Sequence, residues 1–165
     1  MGPNAKDVKV GGANDDGGIS VRRLYREIAE TEASGVRLAP EQHAESVVDS
    51  VVATLFDEPF MFDESMVKGD LDEILMLLVA LRDGETHGKG LMEDLATIFG
   101  ARLSPGTVYP RLHELEADGT LEMQELVRTK EYRVDDVEAL IDRTEHAMRQ
   151  HLALGFFFYT ALREF

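Results

Sequence analysis

The sequence predicts a mainly α-helical protein that carries one small β-hairpin. Three observations support this. Apolar residues recur at helical spacing through six separate stretches. Residues 121–134 break that rhythm with two extended runs around a tight tip. The last helical stretch, from Asp136 to about Arg163, runs on without a breaker and turns apolar on nearly every side near its end.

The elements follow in chain order. Residues 1–19 are rich in Gly, Asn and Asp and have no periodicity, so a disordered tail is expected. Ser20 can cap a helix that carries Val21, Leu24, Tyr25 and Ile28 and ends at Ser34-Gly35. A second helix starts at Pro40 and gathers Val47, Val48, Val51, Val52, Leu55 and Phe56 on one side. Asp57 to Gly69 reads as a connector whose Phe60, Met61, Phe62 and Met66 are expected to pack, and residues 20–69 together form an N-terminal helical extension. From Asp70 the pattern tightens. Leu71, Ile74, Leu75, Leu78 and Leu81 make a strongly apolar helix closed by Asp83-Gly84. Thr86 is the expected cap of the next helix, which carries Leu91, Met92, Leu95 and Ile98 and stops at Gly100. Ser104 followed by Pro105 is a strong start signal; Val108, Leu112 and Leu115 then share one face until Gly119. Leu121, Met123 and the run to Leu126 open a strand, Glu131-Tyr132-Arg133-Val134 returns it, and residues 127–130 form the tip.

Three short helices followed by a hairpin give the order of a winged helix-turn-helix, assigned to residues 70–135, with residues 136–165 as an appended long helix. Composition excludes several classes. With 44% apolar residues a core can be buried, and with no cysteine there are no disulfides or thiolate sites. No run approaches the ~20 apolar residues of a membrane helix. The start has no apolar run behind basic residues, so no secretory signal is read and a cytoplasmic protein is expected. No G-x-S-x-G, phosphate-binding loop or HExxH pattern is present, so no enzyme and no cofactor are expected. Glu138, Asp142 and His146 stand one turn apart and could seat a metal, but the exposed back of an amphipathic helix has the same spacing, so no metal site is assigned.

The charge balance is extreme: 17 Lys and Arg against 32 Asp and Glu, a net charge of −15, with only five lysines among the basic residues. Carboxylate excess suits a cytosol of molar salt, where a Debye length of about 3 Å removes most self-repulsion. It argues against nucleic acid as a partner unless the charge is unevenly placed. It is uneven: residues 86–133 hold six Lys/Arg against eight Asp/Glu, whereas residues 1–85 hold eight against 18.

Residues 71–134 carry the strings Ile74-Leu75-Met76-Leu77-Leu78, Thr86-His87-Gly88 and Ser104-Pro105-Gly106-Thr107-Val108-Tyr109-Pro110, followed by Leu112, Leu115 and Gly119. Together these resemble the PadR family of transcriptional regulators, and the acidic, cysteine-free character resembles its members from halophilic archaea. The family usually has an aromatic and an acidic residue after His-Gly; here Lys89 and Gly90 stand there, and the wing is short. The resemblance implies a DNA-binding regulator, a C-terminal dimerisation helix, an unidentified small-molecule effector and, for some members, a stress response.

A helix of this size fits the major groove, and a hairpin reaches the adjacent backbone or minor groove. Residues 105–118 are therefore the expected reading helix. Ser104 and Thr107 sit at its N-terminus, where amides and dipole favour phosphate. Tyr109 and His113 are expected to project away from the core face. Arg111 is the expected base reader, because its fork matches a guanine edge; pairing with Glu114 or Glu116 is the competing reading. Lys89 and Arg102 are expected on the DNA backbone, and Arg128 and Lys130 at the hairpin tip. In the long helix, Leu140, Ile141, Met148, Leu152, Phe156, Phe157, Tyr159 and Leu162 are the expected dimerisation residues, because a small winged domain cannot cover so much apolar surface. A two-fold dimer on double-stranded DNA implies a palindromic operator. The competing reading is a winged-helix module that binds only protein.

Overall fold

The computed structural model describes residues 44–82 and 86–165. The expected tail, the helix begun at Ser20, the helix start at Pro40 and the stop at Asp83-Gly84 lie outside the described residues. The elements are α1 (Ala44–Leu55), α2 (Glu64–Gly69), α3 (Leu71–Leu81), α4 (Gly88–Ile98), α5 (Pro105–Ala117), β1 (Leu121–Glu125), β2 (Lys130–Val134) and α6 (Val137–Leu162).

α3 is the hub because it is apolar on more than one face. Leu71, Leu75, Met76, Leu78 and Val79 are all buried, and α3 packs against α5, α6 and β2. Leu91 and Leu95 of α4, Val108, Leu112 and Leu115 of α5, and Leu121 and Tyr132 of the hairpin close the core around it. Their i, i+4, i+7 spacing puts each set on a single helix face. Gly100 and Gly119 end α4 and α5 with φ of +67° and +82°, a left-handed turn open to glycine at little cost.

Several expectations are corrected here. The connector contains α2, whose Val67 is buried in the core. The connector aromatics form a ladder: Phe56 stacks on Phe60 at 4.2 Å, Phe60 meets Phe62 at 5.0 Å, and Phe62 meets Phe99 at 5.3 Å, so the chain before α3 leans on the C-terminal end of α4. The cap of α4 is His87, not Thr86: His87 Nδ1 accepts from the Gly90 amide at 3.0 Å. Thr86 is buried instead, its hydroxyl donating to the Tyr132 carbonyl while its own carbonyl accepts from the Tyr132 amide at 2.9 Å. With the bridge His87↔Glu131, this lays the N-terminal end of α4 against the hairpin. Lys130 is the first residue of β2, paired with Glu125, so the tip is residues 126–129, closed by the Leu126 amide on the Thr129 carbonyl at 2.8 Å.

α6 starts at Asp136, whose side chain accepts from the Ala139 amide at 2.9 Å. Leu140 is its only fully buried residue. Leu140 therefore belongs to this chain's own core and is withdrawn from the dimerisation set. Ile141, Met148, Phe157, Tyr159 and Leu162 are exposed, and Leu152 and Phe156 are half-buried. Among the described residues no helix is long and apolar enough to cross a membrane.

Candidate nucleic-acid interface

Two helix N-termini and the wing converge on one side of the domain. α5 begins at Ser104, whose carbonyl accepts from the amides of Thr107 at 2.9 Å and Val108 at 3.1 Å. The Ser104 hydroxyl makes no bond to the first-turn amides; it lies 3.0 Å from the Thr107 hydroxyl, so the two form a polar pair at the helix tip. One turn further on, Tyr109 lies across the start of α4. A β-carbon on Gly88 would come within 2.5 Å of the Tyr109 ring, so the ring's position depends on glycine there.

This packing makes one wall of an open cleft of about 490 Å³ lined by His87, Gly88, Lys89, Tyr109, Arg128, Thr129 and Lys130. Four residues expected from sequence to touch DNA thus share one concavity: Lys89, Tyr109, Arg128 and Lys130. Arg102, in the turn before α5, is exposed, and His113 lies on the exposed side of α5 with Nδ1 3.5 Å from Glu116. Among the described residues no carboxylate lies within ion-pair distance of Arg102, Arg128 or Lys130. Lys89 has only a long 3.8 Å contact with Glu93, both side chains largely in water. Pairs of that kind contribute little and leave the cation available.

Arg111 departs from expectation. Its Nε lies 2.9 Å from Asp72 of α3 and its Nη1 lies 3.0 Å from Glu114, so the guanidinium is held within the protein. Its role as base reader is revised accordingly. Asp72 also pairs with Arg143 of α6 at 3.2 Å, and Arg143 reaches Asp118 at 3.0 Å. Desolvation raises the Asp118 pKa, but hydrogen bonds from the Thr120 side chain and backbone, with Arg143 nearby, outweigh it and hold the carboxyl below its usual range. Behind the cleft, burial pushes the Tyr132 phenol above its usual pKa, and Glu116 and Tyr109 add to the shift.

Sequence reasoning missed three features. The Gly88–Tyr109 packing had a signal, the Thr86-His87-Gly88 string. His87 and Thr129 as lining residues had a weaker one, their adjacency to named DNA-facing residues. The Asp72–Arg111 and Asp72–Arg143 pairs join positions far apart in the chain, and no local pattern marks them.

Three helices, a hairpin wing and a cationic cleft between the wing and two helix N-termini make a winged helix-turn-helix architecture. Residues 76–137 match the family described as the transcriptional regulator PadR-like family. It is 42% identical over 117 residues to the transcriptional activator GvpE of Haloferax mediterranei, a match spanning 68% of this chain and 60% of that protein. It is 42% identical over 111 residues to the transcriptional activator GvpE1 of Halobacterium salinarum, spanning 64% of this chain and 58% of that one. These relatives come from halophilic archaea. A shorter stretch of 53 residues, 32% of this chain and 49% of the other, is 47% identical to the transcriptional regulator Rv3488 of Mycobacterium tuberculosis. The chain thus spans about 60% of the length of the activators it matches. Among solved structures it is similar to a PadR-like transcription factor from Bacteroides fragilis, at 20% identity and a TM-score of 0.38, over 61% of this chain and 93% of that one. The family and the named relatives are regulators of transcription, not enzymes.

Proposed function

We propose that this protein is a cytoplasmic, sequence-specific DNA-binding transcriptional regulator. In this reading it works as a homodimer on a palindromic operator, responds to an unidentified small-molecule effector and serves a stress response at high salt. One observation supports it above the others: the cleft that gathers Lys89, Tyr109, Arg128 and Lys130 beside the N-terminus of α5. In a chain of net charge −15, three cations gathered in one concavity, two of them without a carboxylate partner among the described residues, need a reason, and a phosphate backbone supplies it. α5 enters the major groove with Tyr109 and His113 toward the bases, Ser104 and Thr107 hold a phosphate at the helix tip, and Arg102 and Lys89 grip the flanking backbone. The wing brings Arg128 and Lys130 to the adjacent groove.

Pairing through α6 supports the second half of the reading. Ile141, Met148, Phe157, Tyr159 and Leu162 are large and exposed on one terminal helix, and a second copy is the simplest cover. The domain (70–135) and the helix (136–165) then act as reader and coupler.

The test is equilibrium binding of the full chain to promoter duplexes at several salt concentrations. Replacing Lys89, Arg128 and Lys130 by alanine together should lower the slope of log affinity against log salt by about 0.9 for each phosphate that the variant no longer neutralises. An unchanged slope would remove the cleft from the interface. Absence of duplex binding, with capture of a protein partner instead, would favour the protein-binding module.

A further inference from the structure

We infer that Asp72 is a positioning residue that ties the reading helix α5 to the terminal helix α6, so that pairing of two chains sets the half-site spacing they accept. The inference rests on the reading proposed above, that α5 meets DNA and α6 pairs the chains. Asp72 stands in the first turn of α3 with its side chain only 15% exposed. Its two oxygens serve two different helices. Oδ1 lies 2.9 Å from Nε of Arg111 in α5, and Oδ2 lies 3.2 Å from Nη2 of Arg143 in α6. Arg143 also donates through Nη1 to Asp118, the C-cap of α5, at 3.0 Å. α5 is therefore tied twice to one side chain of α6: at its centre through Asp72 and at its end directly.

The joint is directional on one side and Coulombic on the other: Arg143 donates a hydrogen bond to Asp72 Oδ2, whereas Arg111 lies at ion-pair distance from Oδ1 without a hydrogen bond to it. Partial burial keeps it less screened than a surface pair in salt. Little else fixes the angle at which α6 leaves the domain. Leu140 is the only residue of α6 fully buried in the core, and the other polar ties are a long 3.9 Å contact of Arg143 Nε with Glu73 and His151 Nε2 at 2.8 Å from Asp70. The lever is long: 26 residues at about 1.5 Å each make a rod of about 39 Å. A tilt of about 10° at its base moves the far end by about 7 Å, roughly two base-pair steps of about 3.4 Å. Release of the joint thus blurs the separation of two reading helices without touching the groove-facing residues. It also gives the contact between Arg111 and Asp72 a defined task.

The experiment measures binding of the full chain to inverted-repeat duplexes whose central spacer changes one base pair at a time, in about 1 M KCl. The native chain should favour one spacing by at least about tenfold over spacings two base pairs away. Asp72→Asn keeps the shape and removes the charge. It should remain dimeric by light scattering and hold single half-site affinity within about twofold, while its spacing preference falls below about threefold. Arg143→Gln, which also removes the direct tie to Asp118, should flatten the profile at least as much, and the double variant should be no flatter than Arg143→Gln alone, because that change already breaks the joint at Asp72. Arg143→Lys keeps charge but loses the fork and should lie between; it also carries the test if Asp72→Asn does not fold. Native-like spacing profiles in these variants, or additive flattening in the double variant, overturn the inference while leaving the proposed function standing. A native dimer that binds duplex with no spacing preference does the same. A native chain that binds no duplex defeats the proposed function itself.

Discussion

Leu112 of α5 and Phe157 of α6 are both large apolar residues on amphipathic helices, yet one is 0% exposed and the other 64%. The winged domain builds a core: α3, α4, α5 and the hairpin bury Leu75, Leu91, Leu95, Leu112, Leu115, Leu121 and Tyr132 and pack Ile74, Leu77, Met92, Ile98 and Met123 around them. α6 does the opposite. After Leu140 it carries Ile141, Met148, Phe157, Phe158, Tyr159 and Leu162 into water. The same rule of apolar spacing produces both, and what differs is whether a facing surface exists within the chain. The domain draws only Leu140 from α6 into its core, and the rest of that helix leaves its large apolar residues uncovered within the chain.

The most severe way to break this contrast is truncation after Gln150. Phe156, Phe157, Tyr159 and Leu162 would each contribute about 1.5–3 kcal/mol if enclosed by a second copy. Their removal should give a monomer by light scattering, with palindromic binding reduced far more than half-site binding. A truncated chain that stays dimeric would move the interface to residues 20–56. A monomeric full-length chain that grips a palindrome tightly would end the dimer mechanism.

The second comparison sets Leu112→Ala against Phe157→Ala. The first opens a cavity in a closed core and should lower unfolding free energy by about 2–5 kcal/mol at any protein concentration. The second should change stability little in dilute chains and weaken association instead. Equal, concentration-independent losses for both would mean that Phe157 is covered within the chain.

Gly88→Ala is a smaller probe, aimed at the cleft. The new β-carbon would fall within 2.5 Å of the Tyr109 ring, which must shift. Overpacking of this kind costs about 1–3 kcal/mol. The displaced ring should also weaken duplex binding, and a companion Tyr109→Ala on the Gly88→Ala background should recover the stability but not the binding. Recovery of both would leave Tyr109 a packing residue only.

Much of the fold was legible because each winged-domain helix carries its own start, stripe and stop. Ser104-Pro105 and Gly119 bracket α5 to within a residue or two, and Asp136 caps α6 as expected. α2 was not legible: at six residues it is too short to show a period, and only tertiary burial of Val67 identifies it. The cap of α4 was misassigned because Thr86 is the better cap by type, but the β2 backbone claims its hydroxyl and leaves His87 at the helix start. Of the residues named for the site, Lys89, Tyr109, Arg128 and Lys130 line one cleft, whereas Arg102, Ser104, Thr107, Arg111 and His113 do not. Arg111 did not stay free, because its partner Asp72 lies on another helix and pairing between distant positions leaves no mark on a local pattern.

The smallest expected effect concerns Tyr132, and its sign is informative. The residue is fully buried, and among the described residues its hydroxyl has no hydrogen-bond partner. The ring contributes packing between the hairpin and α3, while an unpaired buried hydroxyl costs about 1–3 kcal/mol in forfeited hydration. Tyr132→Phe keeps the ring and removes that cost, leaving a void of one oxygen atom. The net should be neutral to about 1 kcal/mol more stable by thermal unfolding. Alkaline pH sharpens the test. Burial first, then Glu116 and Tyr109, raise the folded-state pKa of this phenol. Above about pH 10 the unfolded chain releases this proton while the folded chain keeps it, so stability should fall as pH rises through that window. The phenylalanine variant should lose this part of the alkaline decline. A Tyr132→Phe chain that is less stable than native by more than about 1 kcal/mol, or that keeps the full decline, would show that the hydroxyl has a bonding partner in solution.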